Sequence, residues 1–411
     1  VDTLMLSAVG DYAVGAVGTA NSYIGIFIIM FSIISSGMVS VMTQNIGAGR
    51  PGVAYQARQL GLLFNAVAGV LMAVFLFSGA GAILRMVGIA DALYEPALIY
   101  LKIVGGGCIL NAVIPIFSSY LRAFGYTKQP LYATIVGNIA NFVMNAVFLF
   151  VLHKGVAGVA AATVISKILN LCIVLYFSHK LISAKNSTER IANKTVLGQI
   201  VKVGLPSACE TALYNVAMML VIRFLNQMDA EGLNVTARSY TATISNFSYC
   251  VGAALAQANA IMTGWHIGAG ELEECDRGTK RAAFVGVCVA VCMETAIVLG
   301  SGFIMPLFTD NPEMTALVRK LLAIDIVLEI GRVTNLVFGQ ALKTSGDAVF
   351  PAVIAAVFMF VFAVGGTWLF GISMGLMAVG AYIGLASDEC VRAVGMVWRW
   401  KTGKWRTKKL V

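Results

Sequence analysis

The chain has 411 residues, of which 59% are hydrophobic and 12% charged, with a mean hydropathy of +0.84. A water-soluble core of this length cannot hide so much apolar surface, which excludes a soluble enzyme or nucleic-acid-binding protein and makes lipid the solvent. The net charge of +9 is then expected in loops on one side of a membrane rather than against a polyanion.

Apolar runs of about 20 residues or more fall at 14–43, 56–82, 93–121, 129–152, 156–181, 197–225, 236–264, 279–305, 314–342, 348–371 and 375–399. Val1–Leu6 reads as the end of another span, so these runs are helices 2 to 12. Two landmarks recur at one offset. Ile46-Gly47-Ala48-Gly49 returns 221 residues later as Ile267-Gly268-Ala269-Gly270. Leu121-Arg122-Ala123-Phe124-Gly125, with Pro130, maps onto Leu342-Lys343-Thr344-Ser345-Gly346, with Pro351. A shared register at two places marks a tandem duplication. The partner of the run at 197–225 would precede Val1, so about 20 to 40 further residues, enough for one span, are expected before it.

The fold class that follows is an all-α integral membrane protein with a twelve-helix design, two six-helix bundles, the first helix mostly missing. An even number of spans returns the chain to its starting side, so the bundles should be related by a pseudo-two-fold axis along the membrane normal. The expected organisation is an N-terminal lobe at 1–182, an interlobe linker at 183–195, a C-terminal lobe at 196–400 and a basic tail at 401–411. Loops following the even-numbered helices carry 18 Lys and Arg against 6 on the other side. That bias places linker, Gly-Ala-Gly turns and C-terminus in the cytoplasm. Trp398, Trp400 and Trp405 are expected as interfacial anchors. The eight cysteines lack disulfide or metal spacing and are expected as small core residues.

Polar groups within spans are costly unless they face protein or water. In the first lobe Asp2 is the carboxylate within a span. Helix 5 carries Asn138, Asn141 and Asn145, the last two one turn apart, and helix 6 carries Thr163. A carboxylate near amide and hydroxyl oxygens can hold a proton or a transient Na+; the asparagines can equally be hydrogen-bonded glue between helices. The second lobe is richer in charge: Glu210 on helix 7, Glu294 on helix 9, Asp325, Glu329 and Arg332 on one stripe of helix 10, and Asp388, Glu389 and Arg392 on helix 12. The Glu–Arg spacings suit neutralising pairs. The surplus of acids suits a cavity for cationic organic substrates, with Glu210 lacking an obvious basic partner in sequence. No phosphate cradle or His/Cys metal spacing occurs, so no enzyme, cofactor or ATP drive is indicated.

The chain resembles the multidrug and toxic compound extrusion (MATE) family, in its NorM-like bacterial branch, along essentially its whole length. The resemblance rests on Val1-Asp2-Thr3, Gln44-Asn45-Ile46-Gly47-Ala48-Gly49, Asn141 with Asn145, Gly158 to Thr163, Gly204-Leu205-Pro206, Glu329-Ile330-Gly331-Arg332 with Asn335, Gly346-Asp347, Asp388-Glu389-Cys390-Val391-Arg392, Arg399-Trp400 and Lys404-Trp405. It implies a cation-coupled antiporter exporting amphipathic, often cationic compounds by rocking two lobes. It also implies an ion site at Asp2, Asn141, Asn145 and Thr163. The chain departs at Asn145, where several relatives carry aspartate. The family's sodium-site residues on helices 7 and 10 do not align cleanly: Glu210 sits early and Thr334 occupies the expected helix 10 position. The expectation is a monomeric multi-pass transporter of the inner (plasma) membrane, exchanging a small cationic drug or metabolite for H+ or Na+. The alternative is a lipid-linked saccharide flippase, whose cavity bases would be Lys102 and Lys167.

Overall fold

The computed structural model describes residues 5–6, 11–86, 89, 91–182, 189–229 and 232–411. Asp2 and residues 183–188 of the expected linker lie outside them. Among the described residues there is no strand.

The helices are α1 (Asp11–Gly47), α2 (Pro51–Met86), α3 (Asp91–Gly106), α4 (Cys108–Ala123), α5 (Lys128–Ala146), α6 (Gly155–Leu181), α7 (Asn193–Met228), α8 (Leu233–Ala269), α9 (Leu272–Ile304), α10 (Pro312–Ser345), α11 (Val349–Phe358) and α12 (Met377–Lys401). Every predicted span lies in a helix; the run at 93–121 is α3 and α4, bent by 40° at Gly107. Among the described residues, seven helices are apolar and long enough to cross a membrane, eight with that bent pair. The other long ones, α8, α10 and α12, run 25 to 37 residues and are less apolar because they carry polar and charged side chains inward.

Packing is inverted relative to a water-soluble protein. On α2, Leu63, Leu71 and Val74 are each 61% exposed while Asn65 is 2% exposed, donating to the Phe31 and Ala112 carbonyls at 3.2 and 3.0 Å. Apolar outside and satisfied amide inside is the pattern of a helix facing lipid. The cysteines follow it in part. Cys108 and Cys275 are buried as expected, but Cys172, Cys209, Cys250, Cys288 and Cys292 are exposed, since a small thiol is also at home on an apolar outer face.

Contacts divide the chain into two compact units, unit 1 from Val1–Ile46 with Arg50–Gly204 and unit 2 from Gly47–Gly49 with Leu205–Val411. The boundary at Gly204 falls inside α7. Unit 1 has a core of Ala16, Ala20, Leu76, Ala80, Leu101 and Ala160; unit 2 is built around α10, with Leu321 and Leu322 against Val221 and Leu225 and, further along, Val337 and Phe338 against Trp400 and Trp405.

The duplication is visible bond by bond. Gly49 and Gly270 end their helices in left-handed geometry (φ 72° and 79°), as do Gly125 and Gly346 (85° and 97°), the conformation glycine adopts without strain. Arg50 N–H donates to Asn45 O and Glu271 N–H to His266 O, both at 2.8 Å; Tyr126 N–H to Leu121 O and Asp347 N–H to Leu342 O, both at 3.0 Å. Each pair is 221 apart. Beyond helix 11 the offset becomes 222. Leu152 N–H to Val147 O corresponds to Met374 N–H to Leu369 O, and the positive φ of Gly155 (53°) to that of Met377 (52°). Both units have a π-helical segment before this turn, Val147–Val151 and Thr367–Ser373, but unit 2 has a second at Met359–Val364. A π turn takes up one extra residue within a continuous helix, which accounts for the slip.

The turn between α7 and α8 is tied down by Asp229. Its carboxylate accepts from Leu233 N and Asn234 N at 2.9 and 3.0 Å and from the Asn234 side chain. Desolvation pushes its pKa up, but these hydrogen bonds outweigh it and hold the carboxyl below its ordinary range.

The C-terminal residues pack onto unit 2. Trp400 and Trp405 stack 4.1 Å apart and are 2% and 1% exposed, correcting their expected role as interfacial anchors; Trp398 is 57% exposed. Trp400 Nε1 donates to Asp276 Oδ1 at 2.8 Å, and Arg399 holds Asp347 through two bonds of 2.7 and 3.1 Å. A Cβ on Gly346 would strike the Lys408 carbonyl. Gly346→Ala therefore combines a left-handed backbone with a blocked seat, and is expected to cost about 1–3 kcal/mol. Limited proteolysis reads it as earlier cleavage after Lys401, Lys404 or Arg406.

Candidate functional site

In unit 2 the charged stripe of α10 meets that of α12. Glu329, fully buried, pairs with Arg332, one turn on. Arg332 Nε lies 3.6 Å from Glu389 Oε1, and Asn335 Nδ2 donates to Glu389 Oε2 at 3.0 Å. Arg392 grips Asp388 through bonds of 3.0 and 2.6 Å and reaches Glu389 at 2.9 Å. Asp388, Arg392, Glu389, Arg332 and Glu329 thus form one chain of alternating charge. The helical spacings i,i+3 and i,i+4 put acid and base on one face of each helix. Gly331 lets the two faces meet: a Cβ there would lie 2.7 Å from Cys390 N.

Two further carboxyls adjoin the chain. Asp325, 3% exposed, borders Arg332 and Ser245; Glu294, fully buried on α9, neighbours Asp325, Glu329 and Ser248. A cavity of about 320 Å³ opens on the cluster, lined by Asp325, Asp388 and Glu389, by Arg238 and Arg332, and by Tyr214, Tyr249 and Tyr382. The expected pairings of Glu329 with Arg332 and of Glu389 with Arg392 both form. Glu210 differs from expectation: Lys343 Nζ sits 2.8 Å from its carboxylate. The partner lies on α10, which no reading of α7 alone exposes. Glu210 borders a second hollow of about 200 Å³, with Tyr214, Asn335, Glu389 and Arg392. Sequence reasoning missed Arg238 and the three tyrosines, because a tyrosine in an apolar helix reads as core.

Unit 1 has a cavity of about 720 Å³, lined by Asn21 of α1, Tyr100 of α3, Asn138 and Asn141 of α5, and Thr163, Ser166, Lys167 and Asn170 of α6. Asn145 lies behind it, fully buried, donating through Nδ2 to Asn141 Oδ1 at 3.2 Å. Thr163 donates to Val159 O at 2.9 Å, and Lys167 Nζ to Asn111 Oδ1 at 2.8 Å. Asn141 and Asn145 therefore meet, as their spacing of one turn suggested, and Asn141 shares the cavity lining with Thr163. Asp2, the acid expected with them, is outside the described residues. Among those residues, no cluster of three or more His, Cys, Asp or Glu could hold a metal ion.

A family model described as MatE matches residues 1–147 and 206–369. The chain belongs to the MatE family. It is 32% identical over 413 aligned residues to the uncharacterized transporter YisQ of Bacillus subtilis, covering 99% of this chain and 90% of that one. The probable multidrug resistance protein NorM of Thermotoga maritima is 19% identical, over 100% of this chain and 89% of its own. The outward-facing structure of a multidrug resistance MATE family transporter of the MOP superfamily superposes with a TM-score of 0.88 at 19% identity, covering 99% of this chain and 91% of that one. As a MatE protein the chain is a multi-pass membrane transporter, not an enzyme, and its helical architecture is that of MATE transporters.

Proposed function

We propose that the protein is a secondary antiporter of the plasma membrane, exporting amphipathic, cationic drugs or metabolites in exchange for H+ or Na+ by alternating access, with its C-terminus in the cytoplasm. The observation that carries this reading is the cavity of unit 2. Five buried carboxyls (Glu294, Asp325, Glu329, Asp388 and Glu389) surround it or back it, against Arg238, Arg332 and Arg392. Tyr214, Tyr249 and Tyr382 add ring faces that attract an organic cation. Glu210, already held by Lys343, would enter recognition only by exchanging that partner. A lipid-linked saccharide flippase calls for a cationic pocket around pyrophosphate, and this lining supports it poorly. The name of the Thermotoga relative, a probable multidrug resistance protein, agrees with drug efflux. The lobe boundaries 1–182 and 196–400 remain our reading of the duplication.

Ion coupling is assigned to unit 1, where Asp2 would act with Asn141, Asn145 and Thr163. The test is efflux of a cationic dye from proteoliposomes under imposed H+ and Na+ gradients separately. Asp2→Asn is expected to abolish gradient-driven efflux while the protein still purifies as a folded species. Unchanged efflux in that variant would refute the assignment.

A further inference from the structure

Charge is unevenly matched at the end of unit 2 where α9 begins and α12 finishes. Trp400 Nε1 donates to Asp276 Oδ1 at 2.8 Å and Arg406 Nη1 to Glu273 Oε1 at 2.7 Å, tying the end of α12 and the residues after it to the start of α9. Among the described residues, the acids at this end each have a partner of their own. Asp347 has Arg399, Glu273 has Arg406, Glu274 has Arg277, Asp276 has Lys280 and Glu271 has His266, at 2.6–3.1 Å. Exposed Arg281, Lys401, Lys404, Lys408 and Lys409 form no ion pair among those residues.

The surplus sits where two apolar outer stripes stop. On α12, Val394 and Trp398, 69% and 57% exposed, are followed three residues on by Lys401; on α9, Phe284, 71% exposed, lies three residues from Arg281. Residues three or four apart share a helix face. Each lipid-facing stripe therefore ends in a cation, at the depth where acyl chain gives way to headgroup. We propose that this end of unit 2 is a docking surface for anionic phospholipid, with the phosphate among these bases and the chains along Trp398 and Phe284. A soluble anion would meet the same charge but gain nothing from the stripes. The paired acids contribute too, because the carboxylates that would repel a phosphate are already neutralised from within. A base near an anionic surface strengthens attachment roughly five-fold. Salt weakens it, since exposed charges more than about 10 Å apart are screened at about 0.1 M. The surface is independent of what the protein transports.

The experiment is quenching of Trp398 fluorescence in phosphatidylcholine bilayers that contain brominated phosphatidylglycerol or brominated phosphatidylcholine. The Trp398 signal is the difference between each protein and its own Trp398→Phe counterpart. The full chain is expected to favour the brominated phosphatidylglycerol about five-fold or more. Most of that preference should vanish when salt rises from about 0.05 to about 0.5 M. Arg281→Gln, Lys401→Gln and Lys404→Gln together should bring the preference near parity. Arg319→Gln with Lys320→Gln, which removes two exposed bases elsewhere on unit 2, should leave it unchanged. The salt arm needs no substitution, so it decides the matter should the triple variant fold poorly. No preference in the full chain, a preference indifferent to salt, or an undiminished preference in a folded triple variant overturns the proposal. So does its loss on adding inorganic phosphate at fixed ionic strength, which would mark a site for a free anion rather than a lipid.

Discussion

Arg332→Ala is expected to be the most damaging single substitution in unit 2. Arg332 is the cation paired to Glu329, which is fully buried, and it faces Asp325 and Glu389 as well. Its removal strands buried carboxylates in a low-dielectric interior, where breaking one side of a buried pair costs about 3–5 kcal/mol. That is a large share of the about 5–15 kcal/mol that holds a typical domain folded. The measurement is the melting temperature in detergent, with folded yield. Arg332→Lys should recover only part, since a point ammonium cannot span the same acids as a planar guanidinium. Arg332→Met combined with Glu329→Gln should recover more than either change alone, because the pair is then replaced rather than broken. A melting temperature unchanged by Arg332→Ala would show that the carboxyls are satisfied without it.

How far such a network can be read from sequence depends on how local its determinants are. Glu329 with Arg332 and Glu389 with Arg392 are neighbours on a helix face, so spacing alone exposed both. The helices were legible because lipid demands long apolar runs, and the duplication because turn glycines need left-handed backbone at fixed places. Contacts between helices were not legible. Lys343 on α10 meets Glu210 on α7, more than a hundred residues away. Trp400 and Trp405 carry the amphipathic character of interfacial anchors yet are sealed by stacking on each other and by Asp276. Asp2, on which the coupling assignment rests, still stands on resemblance.

Gly331→Ala is the second large effect, and it acts without touching a charge. Gly331 sits where α10 crosses α12, and an added Cβ would lie 2.7 Å from Cys390 N and 2.8 Å from Glu389 C. These are backbone atoms, so relief must come from moving a helix rather than rotating a side chain. Overpacking of this kind costs about 1–3 kcal/mol, and Gly331→Val should cost more. The functional loss should exceed the loss of stability. Separating the helices draws Glu389 away from Asn335 and Arg332, contacts now at 3.0 and 3.6 Å, and so alters the acid edge of the cavity even in molecules that remain folded. Gly278→Ala on α9 is the matched control, because a Cβ there meets nothing within 4 Å and a helical Gly→Ala change is otherwise favourable by up to about 1 kcal/mol. Melting temperature and dye efflux measured on both variants separate the causes. If Gly331→Ala keeps full efflux, close approach of α10 and α12 is not what positions Glu389.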